Sequence, residues 1–193
     1  YFFLGPPLPF GGRLYVIALQ DQQTRLLELN ATNGTVVWQI TLADRNLTED
    51  LQARKQQSPF VLPQNRQLKS GATPSSSEGI LVCPISDSSF VAVNLTTRSV
   101  LWMYDATNSE THQTRPMINP WQAPVGGTSP MDEPQTWTDT SVTISGNRVI
   151  LTPQFSEKIL CLELATGSLQ WSLPRGDGLY VAGITGEQVI IVG

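Results

Sequence analysis

Side chains able to do chemistry are few and scattered along these 193 residues. Cys83 and Cys161 are the only cysteines, each inside an apolar run, Ile80 to Pro84 and Ile159 to Leu164. Neither has a second thiol or a histidine at metal-ligand spacing, so both read as small buried hydrophobes. His112 is the single histidine, which excludes a multi-histidine metal centre and leaves at most a histidine-paired loop serine as a nucleophile. No Gly-x-Ser-x-Gly elbow accompanies it, and a solvated loop residue is the expectation. Asp132 and Glu133 could serve as acid and base or lend oxygens to a cation, but just before Pro134 they read as a solvated turn. Asp139 reads as a strand-end aspartate. Gly126-Gly127 and Gly176-Asp177-Gly178 match neither a P-loop nor a dinucleotide pattern and are read as turns. Asn-x-Thr triplets begin at Asn30, Asn33, Asn46 and Asn94; three fall where turn chemistry calls for Asn and Thr, which is preferred to glycosylation. No residue is therefore assigned to catalysis, cofactor or metal binding. His112, Trp121, Asp132, Glu133 and Trp137 together form the candidate ligand or partner loop.

The scaffold that must position these residues is expected to be all-β. Fourteen prolines and 15 glycines against 15% charged residues suit many short strands and turns. A net charge of -4 gives no electrostatic footprint for nucleic acid or an anionic membrane surface. No apolar stretch approaches the roughly 18 residues of a membrane helix, so no membrane span is expected. The opening Tyr1-Phe2-Phe3-Leu4 has neither an initiator Met nor a basic flank, and is read as an internal strand.

An internal repeat organises the chain. Three twelve-residue segments align without gaps on their final tryptophan: Leu-Glu-Leu-Asn-Ala-Thr-Asn-Gly-Thr-Val-Val-Trp to Trp38, Val-Ala-Val-Asn-Leu-Thr-Thr-Arg-Ser-Val-Leu-Trp to Trp102, and Leu-Cys-Leu-Glu-Leu-Ala-Thr-Gly-Ser-Leu-Gln-Trp to Trp171. Each is a hairpin: an alternating strand, a polar residue (Asn30, Asn94 or Glu163), a turn with Gly34 or Gly167 where positive φ is expected, and a short strand ending in Trp. A β-rich run precedes each hairpin at Leu14 to Ile17, Ile80 to Cys83 and Val149 to Thr152. The first copy carries two extra residues, which fit a longer hairpin at Gln20 to Thr24. A fourth strand is placed before each run, at Tyr1 to Leu4 in the first unit and Trp137 to Ile144 in the third.

Four short antiparallel strands make a β-propeller blade. The expected blades cover 1–42, 69–104 and 136–173, with the first half of a fourth at 178–193. Insertions lie at 43–68, where Asn46 to Lys55 suggests one or two helical turns, and at 105–135. Propellers close with about four to eight blades, so three and a half are expected to be part of a ring of about seven or eight. The remainder of the same polypeptide or another protein chain would complete it.

The hairpin resembles the tryptophan-docking repeat of the PQQ-like propeller superfamily, with consensus near Ala-x-Asp-x-x-Thr-Gly-x-x-x-Trp. Asn30, Gly34 and Trp38 fill its Asp, Gly and Trp places, as do Glu163, Gly167 and Trp171; the middle copy keeps Ala92, Asn94 and Trp102 but has Arg98 for Gly. The resemblance implies that the three tryptophans stack between blades. Phe3 to Pro9, Val91 to Ser99 and Arg175 to Gly183 are further similar to large PQQ-like repeat proteins of planctomycete-type bacteria. Quinoprotein dehydrogenases of the superfamily carry adjacent cysteines against the quinone, a calcium ion and a catalytic aspartate. Here Cys83 and Cys161 lie far apart and no motif carries the other ligands over, so PQQ and calcium enter only with an alternative reading, a dehydrogenase fragment whose cofactor residues lie in other blades. The expectation is a non-catalytic, extracytoplasmic scaffold for protein interaction or assembly, comparable to the outer-membrane-assembly lipoprotein of the superfamily. Carbohydrate or small-ligand binding around Trp121 and Trp137 is the remaining alternative.

Overall fold

The computed structural model describes residues 1–44, 72–106, 137–154, 156–186 and 188–193. Among these the chain is built of antiparallel strands with no α-helix. The first sheet holds β1 (Phe2–Phe3), β2 (Leu8–Phe10), β3 (Arg13–Gln20), β4 (Gln23–Asn30) and β5 (Val36–Asp44). The second runs in chain order through β6 (Ser75–Ser77), β7 (Ile80–Pro84), β8 (Ser89–Asn94) and β9 (Ser99–Asp105). The third repeats it with β10 (Ser141–Ser145), β11 (Arg148–Thr152), β12 (Lys158–Glu163) and β13 (Leu169–Pro174). A hairpin of β14 (Tyr180–Thr185) and β15 (Gln188–Val192) follows. The expected all-β class, with repeated four-stranded antiparallel units, is what these residues form.

Period-2 alternation explains why the middle strands read as unbroken apolar runs: in the first three sheets these strands are covered on both faces. In the second sheet, Leu81, Cys83, Val91 and Val93 pack with Tyr15, Ile17 and Leu26 of the first. Their neighbours Val82, Phe90 and Ala92 pack with Val149, Leu151, Leu160 and Leu162 of the third. The third sheet turns Ile150, Ile159 and Cys161 the other way, toward Val181, Ile184 and Val189 of the last hairpin. The sheets therefore stack face to face. Near their first strands, the Ser75 hydroxyl donates to Val142 O at 2.6 Å, tying the second sheet to the third.

Two first strands differ from expectation. In the first sheet the run is split: β1 and β2 both pair with β3, separated by Leu4-Gly5-Pro6-Pro7. Two prolines without N–H groups cannot continue the ladder. The break also receives the lead-in to the second sheet, where Ala72 N donates to Leu4 O at 3.3 Å and a Cβ on Gly5 would collide with Ala72 O. In the third sheet the strand begins at Ser141 instead of Trp137, because Trp137 N and Thr138 N are bonded to Gln154 O and Leu179 O.

The extra residues of the first copy lengthen β3 and β4 to eight residues each, joined by a two-residue turn in which Asp21 and Gln22 have φ of 50° and 63°. Positive φ at both central positions is the type I′ geometry that matches strand twist.

Candidate functional site

What recurs with function-like regularity is the joint between sheets, built from a hairpin turn and a tryptophan. At the turn, the side chain of the polar residue replaces missing backbone partners. Asn30 Oδ1 accepts from Thr32 N at 2.8 Å, and Asn94 Oδ1 accepts from Thr96 N and Thr97 N at 2.8 and 2.9 Å. Glu163 accepts from the hydroxyls of Thr166 and Ser168 at 2.6 and 3.3 Å, and from the Asn147 amide at 3.3 Å. Those bonds, the one from Thr166 foremost, hold its carboxyl below the usual glutamate range. Gly34 and Gly167 both adopt φ of 71°, and Arg98, in the glycine place, adopts 54°.

Just after the turn each hairpin contains a β-bulge at the same repeat position. The ladder shifts register between Glu28 and Leu29, Ala92 and Val93, and Cys161 and Leu162. One residue before each tryptophan (Val37, Leu101, Gln170) is thereby left without a partner. A bulge kinks and twists its strand, and here it sits where the indole must be aimed at the next sheet. Apolar patterning gives no sign of it.

Trp102 shows the full joint. It is 9% exposed within the core shared by the second and third sheets. Its Nε1 donates to Leu164 O at 2.8 Å, and a Cβ on Gly167 would lie 2.6 Å from the indole Cδ2. Gly167 is thus required twice, for its φ and for the ring that lies on it. Trp38 is half-buried against the second sheet, with the Arg98 guanidinium 5.5 Å from its ring centroid. Trp171 is half-buried with Trp137, Ile150 and Val181, against the last hairpin.

Of the candidate ligand loop, only Trp137 lies among the described residues. His112, Trp121, Asp132, Glu133, Gly126-Gly127 and the helical turns expected at Asn46 to Lys55 lie outside the described residues. Trp137 is inside them and corrects the expectation: it is 1% exposed, its Nε1 donates to Lys158 O at 3.2 Å, and the buried Arg175 guanidinium lies 5.8 Å from its ring centroid. A ring so covered cannot stack on a sugar; it is core. Sequence gave an aromatic next to a loop, and only the third sheet's packing decides its burial.

Cys83 and Cys161 are free and buried, on opposite-facing sides of different sheets. Burial pushes both thiols up, Cys83 beyond the ordinary thiol range, while the nearby Arg148 partly offsets the shift at Cys161. Both are thus held as unreactive thiols at neutral pH. Asp139 contributes its backbone oxygen to the Thr152 hydroxyl at 3.4 Å. Among the described residues no three His, Cys, Asp or Glu side chains converge as metal ligands.

Apolar side chains stay exposed at both ends of the stack. Phe2 is 68% exposed on the first sheet, with Tyr1 and Phe3 beside it, and Tyr180, Ile190 and Ile191 are exposed on the last hairpin. No helix among the described residues is long and apolar enough to cross a membrane.

Residues 3–192 match the family model described as "Outer membrane protein assembly factor BamB". No curated protein sequence matches the chain. Among solved structures, BamB from Moraxella catarrhalis is 13% identical, with 88% of this chain and 36% of that one covered and a TM-score of 0.47. A europium-containing methanol dehydrogenase is 13% identical over 88% of this chain and 24% of its own, with a TM-score of 0.52. The computationally designed Ika8 protein is 12% identical over 98% and 42%, with a TM-score of 0.51. The chain thus spans well under half the length of each of these structures.

Proposed function

The chain belongs to the family of the outer membrane protein assembly factor BamB, and from that premise we propose that it works as a non-catalytic β-propeller module for protein interaction or assembly within a larger protein. The observation that carries this reading is the contrast between docked and undocked faces. Inside the stack, Trp102 and the middle strands of the second and third sheets are covered by the neighbouring sheets, while β9 and β13 leave Met103 and Leu173 exposed along the outer strands. At its ends, Phe2 and Phe3 on one side and Tyr180, Ile190 and Ile191 on the other are left to solvent. Contiguous exposed apolar residues mark interaction surfaces. Among the described residues β15 pairs only with β14, and an open strand edge takes another strand.

The partner proposed for these ends is the rest of the same polypeptide, or a second protein chain, completing a ring of about seven or eight blades. The family's assembly role makes cell-envelope proteins the partners sought on the outer surface, and the proposed location is extracytoplasmic. Within the family we place the chain with large planctomycete-type repeat proteins, on the three similar segments described above. No quinone or calcium is assigned to it.

Photo-crosslinking from position 180 or 190 in the full-length native protein tests the proposal. Cross-links to other blades of the same polypeptide, or to an envelope protein, are expected. A stable monomer that yields no cross-link would contradict it, as would calcium-dependent dye reduction after reconstitution with quinone.

A further inference from the structure

Where the first sheet meets the second, charged side chains flank the tryptophan in place of the alanine and glycine of the next joint, beside an apolar core that both sheets share. Glu28 lies directly across the β4–β5 ladder from Trp38, the place that Ala92 holds opposite Trp102. Its buried carboxylate is 3.3 Å from Arg13 Nε and 3.4 Å from Arg98 Nη2. Arg98 holds the turn position that Gly167 holds at the next joint, and its guanidinium also covers the Trp38 ring at 5.5 Å. Tyr15, across β3–β4 from Glu28, faces the same group. Burial and the Glu28 charge push its hydroxyl up, against the pull of Arg98 and Arg13. One joint is therefore Trp, Ala and Gly; the other is Trp, Glu and Arg.

We propose that Glu28 and Arg98 are a reciprocal substitution that makes the first joint an ion-sensitive hinge, where the stacked sheets part before they part anywhere else. Arg98 accepts a positive φ that glycine adopts freely, and its side chain occupies the space in which Trp102 lies on Gly167. Trp38 is half-buried beside it. Besides its apolar packing in the core of the first two sheets, what holds it is attraction between a buried carboxylate and two partly exposed guanidinium groups, plus a cation–π contact. Salt screens charge attractions at such exposure. The second joint rests on ring packing and a neutral hydrogen bond to Leu164 O, which salt does not screen. Substituting both members together, Glu28→Ala with Arg98→Gly, gives the first joint the residues of the second.

Amide hydrogen exchange on the full chain in low and high sodium chloride tests this, with the hairpin of β12 and β13 as internal reference. In the native sequence, protection of β4 and β5 is expected to fall about fivefold with salt while the reference hairpin stays constant. The Glu28→Ala/Arg98→Gly variant is expected to keep protection and lose the salt response. Glu28→Gln, which preserves shape, is expected to lose the salt response too, so a double variant that failed to fold would not shield the proposal. Equal responses of both hairpins, no response in either, or a persisting response in Glu28→Gln would overturn it.

Discussion

Trp102 and Trp38 occupy the same place in the repeat, yet the joints they make differ in kind. Trp102 is pressed onto a glycine, bonded through its indole N–H to a carbonyl of the next sheet, and buried among apolar residues of both. Trp38 meets an arginine, keeps part of its ring in solvent, and lies beside a carboxylate bound to two guanidinium groups. The comparison teaches that the repeat prescribes a position for the ring while leaving its chemistry to the turn of the neighbouring sheet. A glycine there lets the ring in. A side chain there must hold the ring some other way.

Truncating the rings should separate the joints most clearly. Trp102→Ala is expected to destabilise the chain by about 3–5 kcal/mol, as for a large buried aromatic. Trp38→Ala is expected to cost less, about 1–3 kcal/mol, because less of the ring leaves water. Chemical denaturation of the two variants measures the difference, and equal losses would erase the distinction drawn here.

Next come the turn residues. Gly167→Ala places a methyl against the indole and forces a positive φ on a residue with a Cβ, for an expected loss of about 2–3 kcal/mol. Arg98→Gly relieves that φ while removing a guanidinium from Glu28, and the opposing effects should leave stability within about 1 kcal/mol of the native sequence. A larger loss in Arg98→Gly than in Gly167→Ala, read from thermal unfolding, would reverse the assignment of the two joints.

The smallest effect expected is at the third turn. The hydrogen bonds that hold the Glu163 carboxyl below its usual range favour the charged form when folded. Their contribution is present above the unfolded value, about 4.3, and is lost as pH falls through the folded one. Exchange of the Gly167 amide, bonded to Glu163 O, should therefore become less protected at acid pH. Glu163→Gln should remove that dependence, and the Asn94 turn should show none.

The repeat and the all-β class were legible because alternation, turn residues and a recurring tryptophan are local features of the chain. Asn30, Asn94 and Glu163 looked like turn residues and hold their turns by side-chain acceptors. What could not be read depends on a neighbour. The bulges before the tryptophans carry no residue signature; Gly5 is needed because Ala72 passes it; Trp137 is buried by a sheet that sequence cannot place against it. Glu28 is the instructive omission. A glutamate inside an otherwise apolar stripe, one repeat before an arginine in a glycine position, was a signal available in the alignment itself, visible only when the two copies are compared for their exceptions.

Docking of the Trp102 ring on Gly167 is the contact on which the stacked-sheet account rests, and proton NMR of the folded chain observes it directly. Cross-peaks between the Trp102 ring and the Gly167 α-protons are expected, with those protons displaced from their ordinary shifts by the ring current. Gly167 α-protons at ordinary shifts, with no cross-peak to Trp102, would contradict it.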